Sequence, residues 1–306
     1  MSENDLVLLN QLLEQRMKTV GDGLSESDYF ELFAAEQVLK DDDLSYEEIQ
    51  DGIVGDGGDG GIDGFYFFVN GALCSDDSDY SALKKNIDLR VVVIQAKTSS
   101  GFDEAVVEKF IGSARDLFNF SVKPAALRKV YNKDLLKKVI QFREIFLGFT
   151  SNFPKLKVQY FCVAKATDVE HPNVRRKVTE LEKTLKGLLS SVEFSFDFSG
   201  ASHLLASARK MPTNTYKLSL AENPIATDRE GLICLVRLKD FYDFIKGEDG
   251  RIREHLFESN VRDYQGNTEV NKEIRTTLEA STVEDFWWLN NGIRCFAQNR
   301  VLPEKY

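Results

Sequence analysis

IDGFYFFVNG (62–71) and LRVVVIQAKT (89–98) are the two stretches whose reading decides the fold. The first is dense in aromatic residues and closes on Asn70-Gly71, a pair suited to a tight hairpin turn because both members tolerate left-handed backbone. The second is apolar without alternation from Val91 to Ile94, the pattern of a strand buried on both faces inside a sheet. Antiparallel pairing of 62–69 with 90–98 sets Asp63 opposite the Gln95–Lys97 end. The polar segment 74–88 (CSDDSDYSALKKNID) then reads as an insertion in the hairpin.

Working outward, residues 5–18 read as a short amphipathic helix and 27–40 (SDYFELFAAEQVLK) as a second, capped by Ser27 or Asp28. The second helix is apolar nearly all round, which predicts burial on more than one side, with Glu31 and Glu36 interrupting the surface. An acidic loop, Asp41–Asp43, leads into the glycine-rich stretch Gly52–Gly64. Beyond the two strands come helices at 103–120 and 133–148, a strand at 157–165, a basic helix at 172–189 and a strand at 192–198. The alternation predicts an α/β domain over residues 1–200, a central mixed sheet flanked by helices. Residues 200–230 read as looser, with Pro212 and Pro224 marking a domain boundary. A partial α+β region is expected over 215–306: a strand running into a helix at 231–245, then 256–278, then a hairpin at 286–296 turning on Asn291-Gly292.

The composition is that of an ordinary globular chain, 42% apolar and 29% charged over 306 residues, enough for about two domains. No run approaches 18 apolar residues, which excludes a membrane-spanning helix. Four widely separated cysteines give neither a zinc spacing nor a disulfide framework, and a cytoplasmic location follows by default. The net charge of −10 looks unsuited to a nucleic-acid partner until its distribution is considered. Residues 1–83 carry −17, 84–186 carry +10 and 187–306 carry −3. A phosphate backbone would be drawn to the middle segment, because neutralising phosphates releases counterions. The candidates for that contact are Lys123, Arg128, Lys129, Lys137, Lys138, Arg175 and Arg176; solvated helix faces would carry the same residues.

The chemistry converges on Asp63, Gln95 and Lys97. Alternate residues of a strand share a face, so Gln95 and Lys97 point the same way, and Asp63 starts the partner strand. Lys97 directly after VVVIQA is costly in a purely structural core unless paired or solvated. Phosphodiester hydrolysis calls for a divalent metal with oxygen ligands and for a cation that stabilises developing negative charge.

GGIDGFYF followed by VVVIQAKT resembles the PD-(D/E)xK restriction-endonuclease-like superfamily, in its Mrr-like variant with glutamine at the second acidic position. The resemblance implies that Asp63, Gln95 and the Ala96 main-chain carbonyl hold Mg2+ (or Mn2+), that Lys97 assists the attacking water, and that Glu31 or Glu36 on the preceding helix supports the site. Ile62 stands where that family often has proline. LFESNVRDYQG, VNKEIRTTL and FWWLNNGIRCF, within residues 231–298, are similar to the start of the abortive-infection phage-resistance (AIPR) family domain, and the chain is expected to end inside that domain. Together the two imply a bacterial anti-phage nuclease acting on DNA more than RNA, without a membrane, in a class of enzymes that are commonly homodimers. The alternative is a catalytically inactive nucleic-acid-binding or sensor protein built on the same scaffold.

Other signals carry less. Gly55, Gly57 and Gly60 match a dinucleotide fingerprint in letters, but a strand follows where a helix is needed and Asp56 and Asp59 would repel phosphate. The same loop lacks the calcium-loop ligand pattern, and its glycines are read as letting the backbone bend closely around Asp63. His171, His203 and His255 are isolated, and Trp287-Trp288 read as core rather than as a base-stacking pair. Asn260, Arg262, Asn271, Asn290 and Asn291 read as caps and turns ahead of ligand contacts.

Overall fold

Asn70 and Gly71 adopt left-handed backbone, φ 50° and 86°, the conformation that matches a two-residue turn to the right-handed twist of its strands. In this computed structural model they join β1 (Gly64–Val69) to a short β2 (Ala72–Leu73), with Val69 facing Ala72. The structure describes residues 3–20, 23–42, 44–55, 57–75, 80, 83–99, 101–167, 171–210, 216–226 and 232–246, together with 256, 272, 275, 276 and 279.

On the other side of β1 lies β3 (Asp88–Lys97), antiparallel, with Gly64 facing Ile94 and Val69 facing Leu89. Next come β4 (Lys155–Ala164) and β5 (Val192–Ser199), each parallel to its predecessor, giving the order β2-β1-β3-β4-β5. β3 is therefore central, and Val91 through Ala96 are all buried. Parallel neighbours need long crossovers. Between β3 and β4 run α4 (Glu104–Leu117), α5 (Pro124–Leu127) and α6 (Lys133–Gly148); between β4 and β5 runs α7 (Pro172–Leu188).

These helices cover one face of the sheet, where Val91, Val93, Val158 and Tyr160 pack with Val107, Phe110, Phe142 and Leu181. The other face is covered by α1 (Glu3–Val20), α2 (Glu26–Val38), α3 (Tyr46–Asp51) and α8 (Ala201–Arg209). There Tyr66, Phe68, Val92 and Ile94 meet Leu9, Phe30, Phe33 and Leu204. A mixed sheet between two helical layers is thus the architecture, and α2 is buried on several sides as its all-round apolar surface demands.

Two local readings are corrected. α2 begins one residue before Ser27, and Ser25 is its cap: the Ser25 hydroxyl accepts from the Asp28 N–H at 3.2 Å. The stretch after β5 is a helix, not loose chain: α8 buries Leu204 and Leu205 and packs against α1 and α2. At nine residues it is too short for its periodicity to stand out in sequence.

Further on, β6 (Ile225–Ala226) pairs with β7 (Leu232–Ile233), and α9 (Leu238–Ile245) follows, matching the expected strand-to-helix run. The chain divides into two compact units, Met1–Glu258 and Ser259–Tyr306. The hairpin expected at 286–296, with Asn260, Arg262, Asn271, Asn290, Asn291, Trp287 and Trp288, lies outside the described residues. Among the described residues no helix is long and apolar enough to cross a membrane.

Candidate active site

β3 ends in Gln95-Ala96-Lys97, and the register that faces Gly64 with Ile94 brings Asp63 level with Gln95. The Asp63 N–H donates to the Ile94 carbonyl at 2.9 Å, extending the ladder one step beyond β1. At the next step a side chain replaces the backbone: Asp63 Oδ2 accepts from the Ala96 N–H at 2.8 Å. A strand residue's N–H and C=O point to the same edge, so the Ala96 carbonyl also faces the Asp63 side. The carboxylate is thereby oriented by the neighbouring strand.

Asp63 is only 4% exposed, and burial raises its carboxyl pKa. The Ala96 N–H, then the charges of Lys97 and Lys109, work in the opposite direction, while Asp59 adds to the rise. Glu31, on α2, is drawn into the same field. Burial, then the negative charges of Asp63, Asp28 and Asp59, push its carboxyl up to about 7, with Lys97 opposing them. Glu31 reaches the loop at Gly55, where an added Cβ would lie 2.9 Å from its Oε2. A glycine there leaves room for the carboxylate. Lys97 shares the face of Gln95 by strand alternation, and its charge acts on both acids.

Gln95 is the anomaly. It has no exposure, and neither Oε1 nor Nε2 has a hydrogen-bond partner. Buried amides are almost always satisfied, because each unmade bond costs roughly 1–3 kcal/mol. Its Oε1, the carboxylates of Asp63 and Glu31 and the Ala96 carbonyl are all oxygen donors, the kind a hard divalent cation takes. Among the described residues no three His, Cys, Asp or Glu side chains group closely enough to hold a metal ion. A cation here would depend on the amide and carbonyl oxygens as well. Cys162, across from Gln95 on β4, is buried with its thiol pushed up to about 12, so it stays protonated and is no nucleophile at neutral pH.

The glycine loop wraps this end of the sheet. Gly57, Gly58, Gly60 and Gly61 all have positive φ, from 62° to 84°. Asp59 tightens the turn by accepting from the Gly61 N–H at 2.6 Å. Asn132, the cap of α6, holds the loop from outside. Its amide nitrogen donates to the carbonyls of Val54 (2.8 Å) and Gly57 (3.2 Å), and its N–H donates to Gly58 O at 2.7 Å.

The structure thus brings together Asp63, Gln95, Ala96, Lys97 and Glu31. It does not bring Glu36 to them: both Glu36 carboxylate oxygens bind the Arg16 guanidinium, at 3.1 and 3.2 Å. Five residues along a helix is a rotation of roughly 140° from Glu31, so the two acids cannot share a face. Of the basic candidates, Lys123, Arg128, Lys129, Lys137, Arg175 and Arg176 are exposed. Lys138 is engaged with Asp51 at 2.6 Å. Arg128 and Lys129 immediately precede the Tyr131–Asn132 turn that supports the glycine loop. Sequence reading missed Lys109, Asp59 and Asn132. Only Asn132 had a usable signal, an asparagine directly before a helix.

The model of a family described as AIPR protein matches residues 257–305. In that stretch the chain is similar to AIPR proteins. No curated protein and no solved structure matches the chain.

Proposed function

We propose that the chain is a metal-dependent nuclease of the restriction-endonuclease-like type, hydrolysing phosphodiester bonds of nucleic acid, DNA more than RNA, in anti-phage defence. The observation that carries this reading is the arrangement at the end of β3. There a buried carboxylate is fixed on the Ala96 N–H, beside an amide with no partner and a lysine on the same face. Asp63 directly precedes β1 and Gln95–Lys97 end its antiparallel neighbour β3, with α2 earlier in the chain and α4 and β4 later.

In this reading Asp63, Gln95 and the Ala96 carbonyl hold Mg2+ (or Mn2+), with Glu31 at the border of the set. When bound, the metal polarises the phosphate and lowers the pKa of water. The chain's own groups do the rest. Asp63 is kept in one rotamer by the Ala96 N–H, so the donor set needs little rearrangement. Lys97 holds the attacking water and offsets the charge that develops on the phosphate oxygens. Glu31, with a carboxyl near 7, exchanges its proton readily at neutral pH.

A second reading, a catalytically inactive nucleic-acid binder or sensor, draws support from the lack of a three-carboxylate cluster among the described residues. Purified chain offered plasmid, single-stranded DNA and RNA with magnesium, manganese or chelator separates the two. The nuclease reading expects cleavage that chelator abolishes and that Asp63→Ala and Lys97→Ala each reduce by roughly 10²–10³-fold. Metal-independent binding without cleavage in wild type would favour the inactive scaffold.

A further inference from the structure

Gly61 brings a lysine to the site that the motif does not contain. A Cβ built on Gly61 would lie 3.0 Å from both Cβ and Cδ of Lys109, on α4, and 3.2 Å from Nε2 of Gln95. Bare main chain, the stem of a lysine and the unpartnered amide therefore meet at one backbone position, and the positive φ of Gly61 (84°) reserves that position for glycine. A stem laid along the backbone leaves the ammonium fewer directions than a free surface lysine has.

The cation is placed but not matched. Its charge lowers the pKa of Asp63, yet Lys109 is exposed, and among the described residues no carboxylate lies within ion-pair distance of it. Its neighbours on the same pair of helices are matched: Lys177 with Glu108 (3.1 Å) and Glu180 (3.4 Å), and Arg115 with Glu180 (3.8 Å). An oriented, unmatched cation at the solvent side of a site that holds Asp63 and Lys97 suits an anion that arrives with the substrate.

We infer that Lys109 contacts a backbone phosphate of the bound nucleic acid, next to the phosphate handled by Lys97, and positions the strand over Asp63 and Gln95. The identity of the ligand rests on the nuclease reading; the contact itself is measurable without metal or cleavage. A lysine that only balances Asp63 would change stability and leave the salt dependence of binding alone.

The test is fluorescence anisotropy of a labelled duplex oligonucleotide with the full chain in chelator, over a series of salt concentrations. Wild type, Lys109→Ala and Lys109→Arg are compared with Lys157→Ala, an exposed lysine on the other face of the sheet. Lys109→Ala should reduce the slope of log affinity against log salt by about 0.9, the value of one duplex phosphate contact. Lys109→Arg should recover most of that slope, and Lys157→Ala should keep the wild-type slope. With magnesium, Lys109→Ala should raise KM far more than it lowers kcat. A wild-type slope in Lys109→Ala, or an equal fall in Lys157→Ala, overturns the inference. Cleavage by wild type with an unchanged Lys109→Ala slope overturns it while the nuclease reading stands. The slope loss without any wild-type cleavage upholds the phosphate contact and overturns that reading, and absence of binding by wild type overturns the phosphate contact.

Discussion

At the scale of single residues, Gln95 and Glu31 sit in environments that work against folding. Both polar atoms of Gln95 are buried without partners, so a leucine of similar volume should stabilise the metal-free protein, by roughly 1–2 kcal/mol, while abolishing cleavage. Thermal melts in chelator beside activity assays check this. A destabilised Gln95→Leu would mean that the amide already has a partner. Glu31 makes a pH-dependent case. Burial pushes its folded carboxyl up to about 7 from the ordinary glutamate value of 4.5, so the folded state binds the proton more tightly than the unfolded state. Stability is therefore highest below about pH 4.5 for this group and declines as pH rises toward 7. Glu31→Gln removes that decline: its melting temperature should exceed that of wild type by a few degrees at about pH 8 and by little at about pH 5. An equal gain at both values would deny that the carboxyl is perturbed.

Among the elements, the loop–helix junction at Asn132 is the most exacting. Its side-chain oxygen accepts from Leu135 N at 2.9 Å, capping α6, while its nitrogen grips the loop at Val54 and Gly57. Asn132→Asp keeps the cap and removes both donations, so it separates helix stability from loop placement. The expected outcome is a folded protein, about 1–2 kcal/mol less stable, with weaker stabilisation by magnesium; Asn132→Ala loses the cap as well and falls further. If Asn132→Asp responds to magnesium as wild type does, the grip has no bearing on the site. How much of this was legible follows the same division. Alternation and continuous apolar runs gave β1, β3, β4 and β5, and Asp63 and Gln95–Lys97 could be set opposite each other by counting along two paired strands. Which of Glu31 and Glu36 faces that pair could not be read, because α2 is apolar all round and offers no stripe to fix its rotation. Lys109 could not be read at all, since it looks like any polar position on α4 and only the path of the Gly57–Gly61 backbone brings it to Gln95.

For the whole molecule, charge and architecture separate along the chain. The strongly acidic first 83 residues contribute Glu31, Asp59 and Asp63, while the basic segment 84–186 contributes Lys97 and Lys109 together with the exposed Arg128 and Lys129. The site therefore forms where the two oppositely charged stretches meet, and the net charge of −10 says little about what that junction attracts. The sheet and both helical layers that support it lie within residues 3–209, and the stretch that matches the AIPR protein model, 257–305, comes later in the sequence.

The parallel pairing of β3 with β4 also sets an order in time. Asp63 meets Ala96 by closing a short loop, whereas β3 can pair with β4 only after α4, α5 and α6 have been made. Distant pairings close later and more slowly than local ones. On a ribosome, the acids, the amide and Lys97 emerge before the strand that shields the far side of β3. During that interval the apolar edge from Val91 to Ile94 is open to another chain, and translation rate becomes a determinant of yield.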